Sequence, residues 1–419
     1  MAELIAPLTS LSDELVEIKV QGLNPQQKIT IQSCQTSERG QLFHAFAHYI
    51  ANEKGFVNVS SDRSLGGSYV GVEQMGLFWA MKTPSYAGKS YGNLIKQNPS
   101  TPDEVQLKLY DNFIQEENIR NFESNASIII KRQYIKETFD RIPINNGDIC
   151  GTLFRPPGAL KLPGVLYING YIGGVSEFRA ALLANHGFVV LTLGYFKCGN
   201  RPDELKYVDL DYIERAVTFL VRHKNVLDCG IGVFGFSLGG TMALAISALS
   251  QNIKCAINLC GMTYACLGID IHYGKRVWKS VEFDERKISI NNGFQDHAKT
   301  HTIPSAVNNE KHMPNFFMSD ASFLFIYGDD DGLMDCDENM SLAKQLYQTS
   351  GHNRCKFVKY TNTGHLIWPP FTPPIKYTYH GMGHFGIPTD FGGTMKDHSV
   401  AQEESWKEII GFFRENLIR

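Results

Sequence analysis

Over the first third of the chain, apolar and polar residues alternate in short runs. VEIKV at 16–20, KITIQ at 28–32 and VQLKL at 105–109 each turn every second side chain to one face, the period of a strand with one side buried. Two more apolar runs, 43–49 and 56–59, are separated by turn residues at 52–55, and Asn24-Pro25 marks another turn. Turn signals recur about every ten positions with no long helical pattern between them, which predicts a β-sandwich over residues 1–145. The glycine-rich apolar stretch 65–79 is expected to close that sandwich against the next domain. No catalytic grouping stands out in this region.

From Cys150 the pattern changes. Residues 163–168 and 188–193 are continuous apolar runs, suited to strands buried on both faces. Between them 177–186 reads as a helix stopped by Gly187. Ile213, Ala216, Val217 and Leu220 then repeat at helical spacing across 209–221. Further strands are predicted at 231–234, 255–259, 323–327 and 355–360, with helices at 238–249, 343–348 and 403–416. Alternating strands and helices predict a mostly parallel sheet with helices on both faces over residues 146–419. Two segments break the pattern: 266–320 is polar and irregular, and 368–398 is rich in Pro, Gly, Tyr and His. Long irregular inserts of this kind usually cover an active site.

Composition narrows the function. A chain of 419 residues is long for a single core. Its net charge of −3, with Lys and Arg scattered, argues against nucleic acid, and no apolar run is long enough to span a bilayer. Nine cysteines without C-x-x-C spacing argue against a disulfide framework and fit a reducing compartment. The acidic N-terminal residues Glu3, Asp13, Glu14 and Glu17 speak against a mitochondrial leader, and the last four residues are not a peroxisomal address. The expectation is a cytoplasmic protein, a peroxisomal or mitochondrial one being the alternative. Either a monomer or a homo-oligomer is compatible with the sequence.

The strongest chemical signal is GFSLG at 235–239. G-x-S-x-G is the nucleophile elbow, in which small residues let a strand turn sharply into a helix and lift the serine hydroxyl to the top of the sheet. The string by itself also fits an inert tight turn. Here a strand precedes it and a helix of small residues follows, so Ser237 is the expected nucleophile. Its base and orienting acid should follow in the order acid, then His, at the ends of later strands. Asp329, Asp330 and Asp331 stand after 323–327, and any of the three fits. His365 stands after 355–360, and it alone of thirteen histidines has the required place. An oxyanion needs two backbone donors: the N–H of Leu238, and one from the glycine-rich loop 169–174, for which Tyr171 is the candidate. His380 and His384 have the spacing of a helical zinc pair, but Gly381 and Gly383 disfavour helix and no Glu lies between them. No Gly-Lys-Ser/Thr follows any glycine pair. No metal and no cofactor are expected.

The motifs SLGGSYVGVEQMGLFWAM (64–81), GTLFRPPG (151–158), GFSLGG (235–240), GDDDG (328–332) and TGHLIWPPF (363–371), with His398, Ala401-Gln402 and Trp406 near the end, resemble those of the acyl-CoA thioesterases and bile acid-CoA:amino acid N-acyltransferases. The similarity covers nearly the whole length. It implies an N-terminal immunoglobulin-like sandwich followed by an α/β-hydrolase domain, and a triad of Ser237, Asp331 and His365, so that Asp331 is selected from the run of three. It also implies a fatty acyl-CoA substrate of medium to long chain, hydrolysed to fatty acid and CoA, with conjugation to glycine or taurine as the alternative. Two positions depart from the family pattern: Leu238 stands where a lysine is usual, and Ser237 stands where the transferase branch has cysteine.

Overall fold

The computed structural model describes residues 2–88, 91–158, 160–379, 384 and 386–418. It divides into two compact units. One runs to Lys136 and also takes in Trp368–Ile375; the other comprises Glu137–Ile367 and continues from Lys376.

The first unit is all β apart from short helical turns. A five-stranded sheet is ordered Thr9–Leu11, Ala126–Gln133, Asp103–Asp111, Lys28–Thr36, Leu42–Ile50, and a three-stranded sheet is ordered Glu3–Ile5, Lys19–Gln21, Val57–Asn58. Both sheets contribute to one core, with Val20 and Val57 from the smaller and Ile29, Ile31, Ala47, Val105, Leu107 and Leu109 from the larger. The alternation VQLKL does bury Val105, Leu107 and Leu109 completely. In KITIQ Lys28 is exposed, but Thr30 and Gln32 are buried as well. Thr30 pairs with His48 and Gln32 with His44 at 3.0 Å, which satisfies groups that would otherwise be costly to bury. The 65–79 stretch forms a short helix, Gly76–Trp79, whose Leu77, Phe78 and Trp79 enter this same core. Phe371, far along the chain, packs against it too.

The second unit has the expected α/β-hydrolase architecture. Its eight-stranded sheet is ordered Cys355–Tyr360, Ser322–Gly328, Ile253–Leu259, Val226–Phe236, Leu162–Ile168, Val189–Leu193, Cys150–Arg155, Asp140–Asn145. The first six strands pair in parallel and the last two antiparallel. The strand Asp140–Asn145 belongs to this sheet, whereas the expected boundary at 145/146 falls at its end. Helices lie on both faces. Gly232 leaves room for Phe413 of the helix Met395–Leu417, while Gly164, paired with Ile231, leaves room for Leu220 of the helix Leu210–Val221. Successive strand residues point to opposite faces, so these two helices cover opposite sides.

Cys150 and Cys198 form a disulfide, and the other seven cysteines are free. Spacing did not reveal this pair. Antiparallel pairing sets Gly151 opposite Leu193, which brings the loop after Val189–Leu193 back to Cys150. The two irregular segments meet in one small sheet, where Gln295 pairs with Thr389. Among the described residues no helix is long and apolar enough to cross a membrane.

Candidate active site

The strand Val226–Phe236 ends in a turn at Ser237, which takes φ 54° and ψ −125° and caps the helix Leu238–Ser247. A non-glycine residue pays for such a backbone, and its appearance marks a site where the surroundings enforce it. The flanking glycines are steric necessities. A Cβ on Gly235 would stand 2.1 Å from the Gly239 carbonyl oxygen, and one on Gly239 would stand 2.0 Å from that of Ile168.

The expected base and acid, His365 and Asp331, follow the ends of two neighbouring strands. His365 Nε2 lies 2.9 Å from Ser237 Oγ, and His365 Nδ1 lies 2.7 Å from Asp331 Oδ2. A carboxylate only accepts, so Nδ1 carries the proton and the Nε2 lone pair faces the serine hydroxyl. The other two aspartates of the run are engaged elsewhere. Asp329 accepts from the Asn362 amide at 2.7 Å, and Asp330 accepts from that of Gly393 at 2.8 Å. Asp331 Oδ1 accepts from the Leu333 and Met334 amides at 2.8 and 3.0 Å, and its Oδ2 also receives the Cys336 thiol at 3.2 Å. Ser237, Asp331 and His365 are 7%, 7% and 1% exposed, so their mutual hydrogen bonds are little diluted by water.

Both irregular segments press on these loops. The His297 amide donates to the Gly332 carbonyl, and the His365 amide donates to that of Phe391, each at 2.8 Å. His398 also grips the loop carrying His365. Its Nε2 donates to the Leu366 carbonyl at 2.9 Å and its Nδ1 accepts from the Gly364 amide at 3.4 Å. Burial pushes His398 down to about 4, so it is neutral and can play both roles.

Sequence reasoning missed Arg179, which is fully buried on the helix Phe178–Ala184. Its guanidinium stands 4.3 Å over the ring of Phe236, the residue before Ser237. It donates to the Ile367 carbonyl and, at 3.3 Å, to the Tyr167 hydroxyl, which in turn donates to Asn169 Oδ1 at 2.8 Å. One cation thus ties together the serine turn, the histidine loop and the start of the glycine-rich loop. The available signal was a lone arginine in the otherwise apolar run FRAALLA.

Leu238 supplies the first amide of its helix, which has no carbonyl one turn back to bond. Tyr171 lies in the loop 169–174, and its ring stacks on Phe196 with centroids 5.3 Å apart. Among the described residues neither amide donates to a backbone carbonyl. Of the histidine pair considered for zinc, His380 lies outside the described residues. Cys260, Asp331 and His365 have potential ligand atoms within 4.8 Å of one another. Burial holds the Cys260 thiol well above its ordinary range, which keeps it protonated and a poor ligand, and the other two are already bonded to each other.

Comparison with known proteins extends the picture over the whole chain. The family described as acyl-CoA thioester hydrolase/BAAT N-terminal region matches residues 13–146, and that described as BAAT / acyl-CoA thioester hydrolase C terminal matches residues 208–419. The acyl-coenzyme A amino acid N-acyltransferase 1 of Mus musculus is 33% identical over all of this chain and 99% of its own length. The bile acid-CoA:amino acid N-acyltransferase of Homo sapiens is 33% identical over 98% of this chain and 97% of its own. The acyl-coenzyme A thioesterase 3 of Mus musculus is 31% identical over 97% and 92%.

Proposed function

Since the chain belongs to the acyl-CoA thioester hydrolase/BAAT family, we propose that it is a thioester hydrolase cleaving fatty acyl-CoA of medium to long chain to the free acid and CoA. The observation that carries this reading is the unbroken line of hydrogen bonds from Ser237 Oγ through His365 to Asp331.

In the proposed reaction Ser237 Oγ attacks the thioester carbonyl while His365 Nε2 takes its proton. The carbonyl oxygen becomes an oxyanion held by the amides of Leu238 and Tyr171. Collapse expels the CoA sulfur, which leaves with the proton from His365, and an acyl ester remains on Ser237. Water then attacks that ester, giving its proton to His365, and the second collapse returns the proton to Ser237 Oγ and frees the acid. Asp331 holds the imidazole in the required tautomer and balances its charge when protonated. Arg179 and His398 fix the loops that carry these groups.

Transfer of the acyl group to glycine or taurine is the second reading, favoured by the 33% identity to two N-acyltransferases. The serine at 237 argues for water as acceptor, because the resemblance implies cysteine in the transferase branch. We further propose that the all-β unit is an immunoglobulin-like sandwich without a catalytic role, and that the second unit, which takes in the strand Asp140–Asn145, is the catalytic domain.

A panel of acyl-CoAs of rising chain length, assayed for free thiol with and without each amine, tests both readings. Thiol release independent of amine, and lost in Ser237→Ala, is expected. Conjugates as the main product would replace the first reading with the second, and full activity in Ser237→Ala would overturn both.

A further inference from the structure

The loop 169–174 has few side chains with which to hold its own backbone in place, yet one of its amides must point at a developing charge. Gly170 passes directly over the nucleophile: a Cβ there would stand 3.0 Å from Ser237 Cβ. The orientation of the Gly170–Tyr171 peptide therefore decides whether the Tyr171 N–H faces the reacting carbon. In a trans peptide the carbonyl and the N–H point to opposite sides of the chain, and no cis peptide occurs among the described residues. Fixing the Gly170 carbonyl thus aims the Tyr171 amide.

Two donors fix that carbonyl. One is the Ile172 amide, 2.7 Å away in the loop itself. The other is the hydroxyl of Tyr195, which also reaches the Asn169 carbonyl at 3.2 Å. Tyr195 stands in the loop that follows the neighbouring strand Val189–Leu193, so it anchors the turn from outside. The same segment holds the glycine-rich loop at two further points. Phe196 stacks on Tyr171, and its carbonyl accepts from the Gly174 amide at 2.9 Å. The anchor is itself anchored. The Tyr212 hydroxyl donates to the Gly194 carbonyl at 2.6 Å, and Cys198 is bonded to Cys150. Burial holds the Tyr195 phenol far above its ordinary range, so it is a hydrogen donor throughout the working pH range.

We infer that Tyr195 is a positioning residue for the oxyanion site, which orients the Tyr171 amide through the Gly170 carbonyl and so acts on the transition state and not on substrate binding. The inference rests on the hydrolase reading above.

The test is Tyr195→Phe, which removes one oxygen and leaves the packed ring. Removing an oxyanion donor outright lowers kcat by about 10²–10³. Mis-aiming one is expected to cost about tenfold to a hundredfold in kcat, with KM within about twofold. Two ligands separate positioning from general damage. A trifluoromethyl ketone analogue of acyl-CoA adds Ser237 and places an oxyanion in the site, and should bind more weakly by the same factor as kcat. An acyl-CoA thioether lacks the carbonyl and should bind unchanged. An unchanged kcat, or equal losses for both ligands, would overturn the role of Tyr195 while leaving the hydrolase reading intact. A wild-type protein that neither hydrolyses acyl-CoA nor captures the ketone would overturn the hydrolase reading, and this inference with it.

Discussion

Replacing Asp331 by asparagine changes one atom, and the surroundings dictate what that change does. Asp331 Oδ1 accepts from two backbone amides, Leu333 and Met334. An asparagine that turned its NH₂ toward them would set donor against two donors, so its oxygen must stay there. The NH₂ then faces His365 Nδ1 across 2.7 Å. To receive it the imidazole must lose the Nδ1 proton and carry one on Nε2, where it meets Ser237 Oγ as a donor and cannot take the serine proton. The fold should survive, because the two amide bonds to Oδ1 are kept and those made by Oδ2 are replaced by ones of opposite sense. In a serine protease the equivalent change of tautomer lowers kcat by about 10⁴, or roughly 5.5 kcal/mol of barrier. A loss of about 10³–10⁴ in kcat is therefore expected for Asp331→Asn. Asp330→Asn keeps an oxygen for the Gly393 amide and should stay within about threefold of wild type. The measurement is thiol release from acyl-CoA under saturating substrate, with melting temperatures for both variants. A larger loss for Asp330→Asn than for Asp331→Asn would refute the reasoning.

Ser237→Cys should retain some attack on acyl-CoA, since His365 can also activate a thiol. The acyl intermediate becomes a thioester, which favours amines over water, so N-acylglycine or N-acyltaurine should appear when the amine is present. Total turnover should fall about tenfold or more, because the turn is tight and sulfur is larger than oxygen; mass spectrometry showing only free acid in the presence of amine would contradict the change of acceptor. Acid stability should depend on His398, held down to about 4 against an ordinary 6.5. The unfolded chain binds the extra proton between those values, so stability rises with pH across that window and the penalty is absent above about 6.5. The difference is worth about 3 kcal/mol on acidification from pH 7 to pH 4. Urea unfolding at both pH values should therefore show a smaller acid loss in His398→Gln than in wild type, and equal losses would exclude this role for His398.

Features set by local sterics were readable from the sequence, and features set by tertiary approach were not. GFSLG could be read because Gly235 and Gly239 answer to clashes within the turn itself and its nearest strand. The long helix Met395–Leu417 begins well before the predicted 403, since its polar opening MKDHS looks like loop. Thr394 caps it by accepting from the Asp397 amide, a signal that a hydrophobic period does not register. The three aspartates could not be ranked from the residues alone, because what separates them is which amide or imidazole each meets once two strand ends adjoin. Arg179 and Tyr195 lie in apolar runs, and their partners come from strands and loops remote in sequence. The Cys150–Cys198 pair depends on the antiparallel pairing of two strands, which no spacing rule encodes.

The return of Trp368–Ile375 to the first unit has a consequence for how the protein is made. During synthesis the N-terminal strands emerge first, and domains generally begin to fold as they leave the ribosome. Here Phe371, which packs against the first core, is not translated until Ser237, Asp331 and His365 have all appeared. The first unit is therefore completed by a segment that arrives after most of the second, and the loop bearing His365 runs directly into that segment. A gene fragment ending after residue 136 would lack a segment that packs on its core. Separating the units for expression or fusion calls for supplying residues 368–375 as well as residues 1–136.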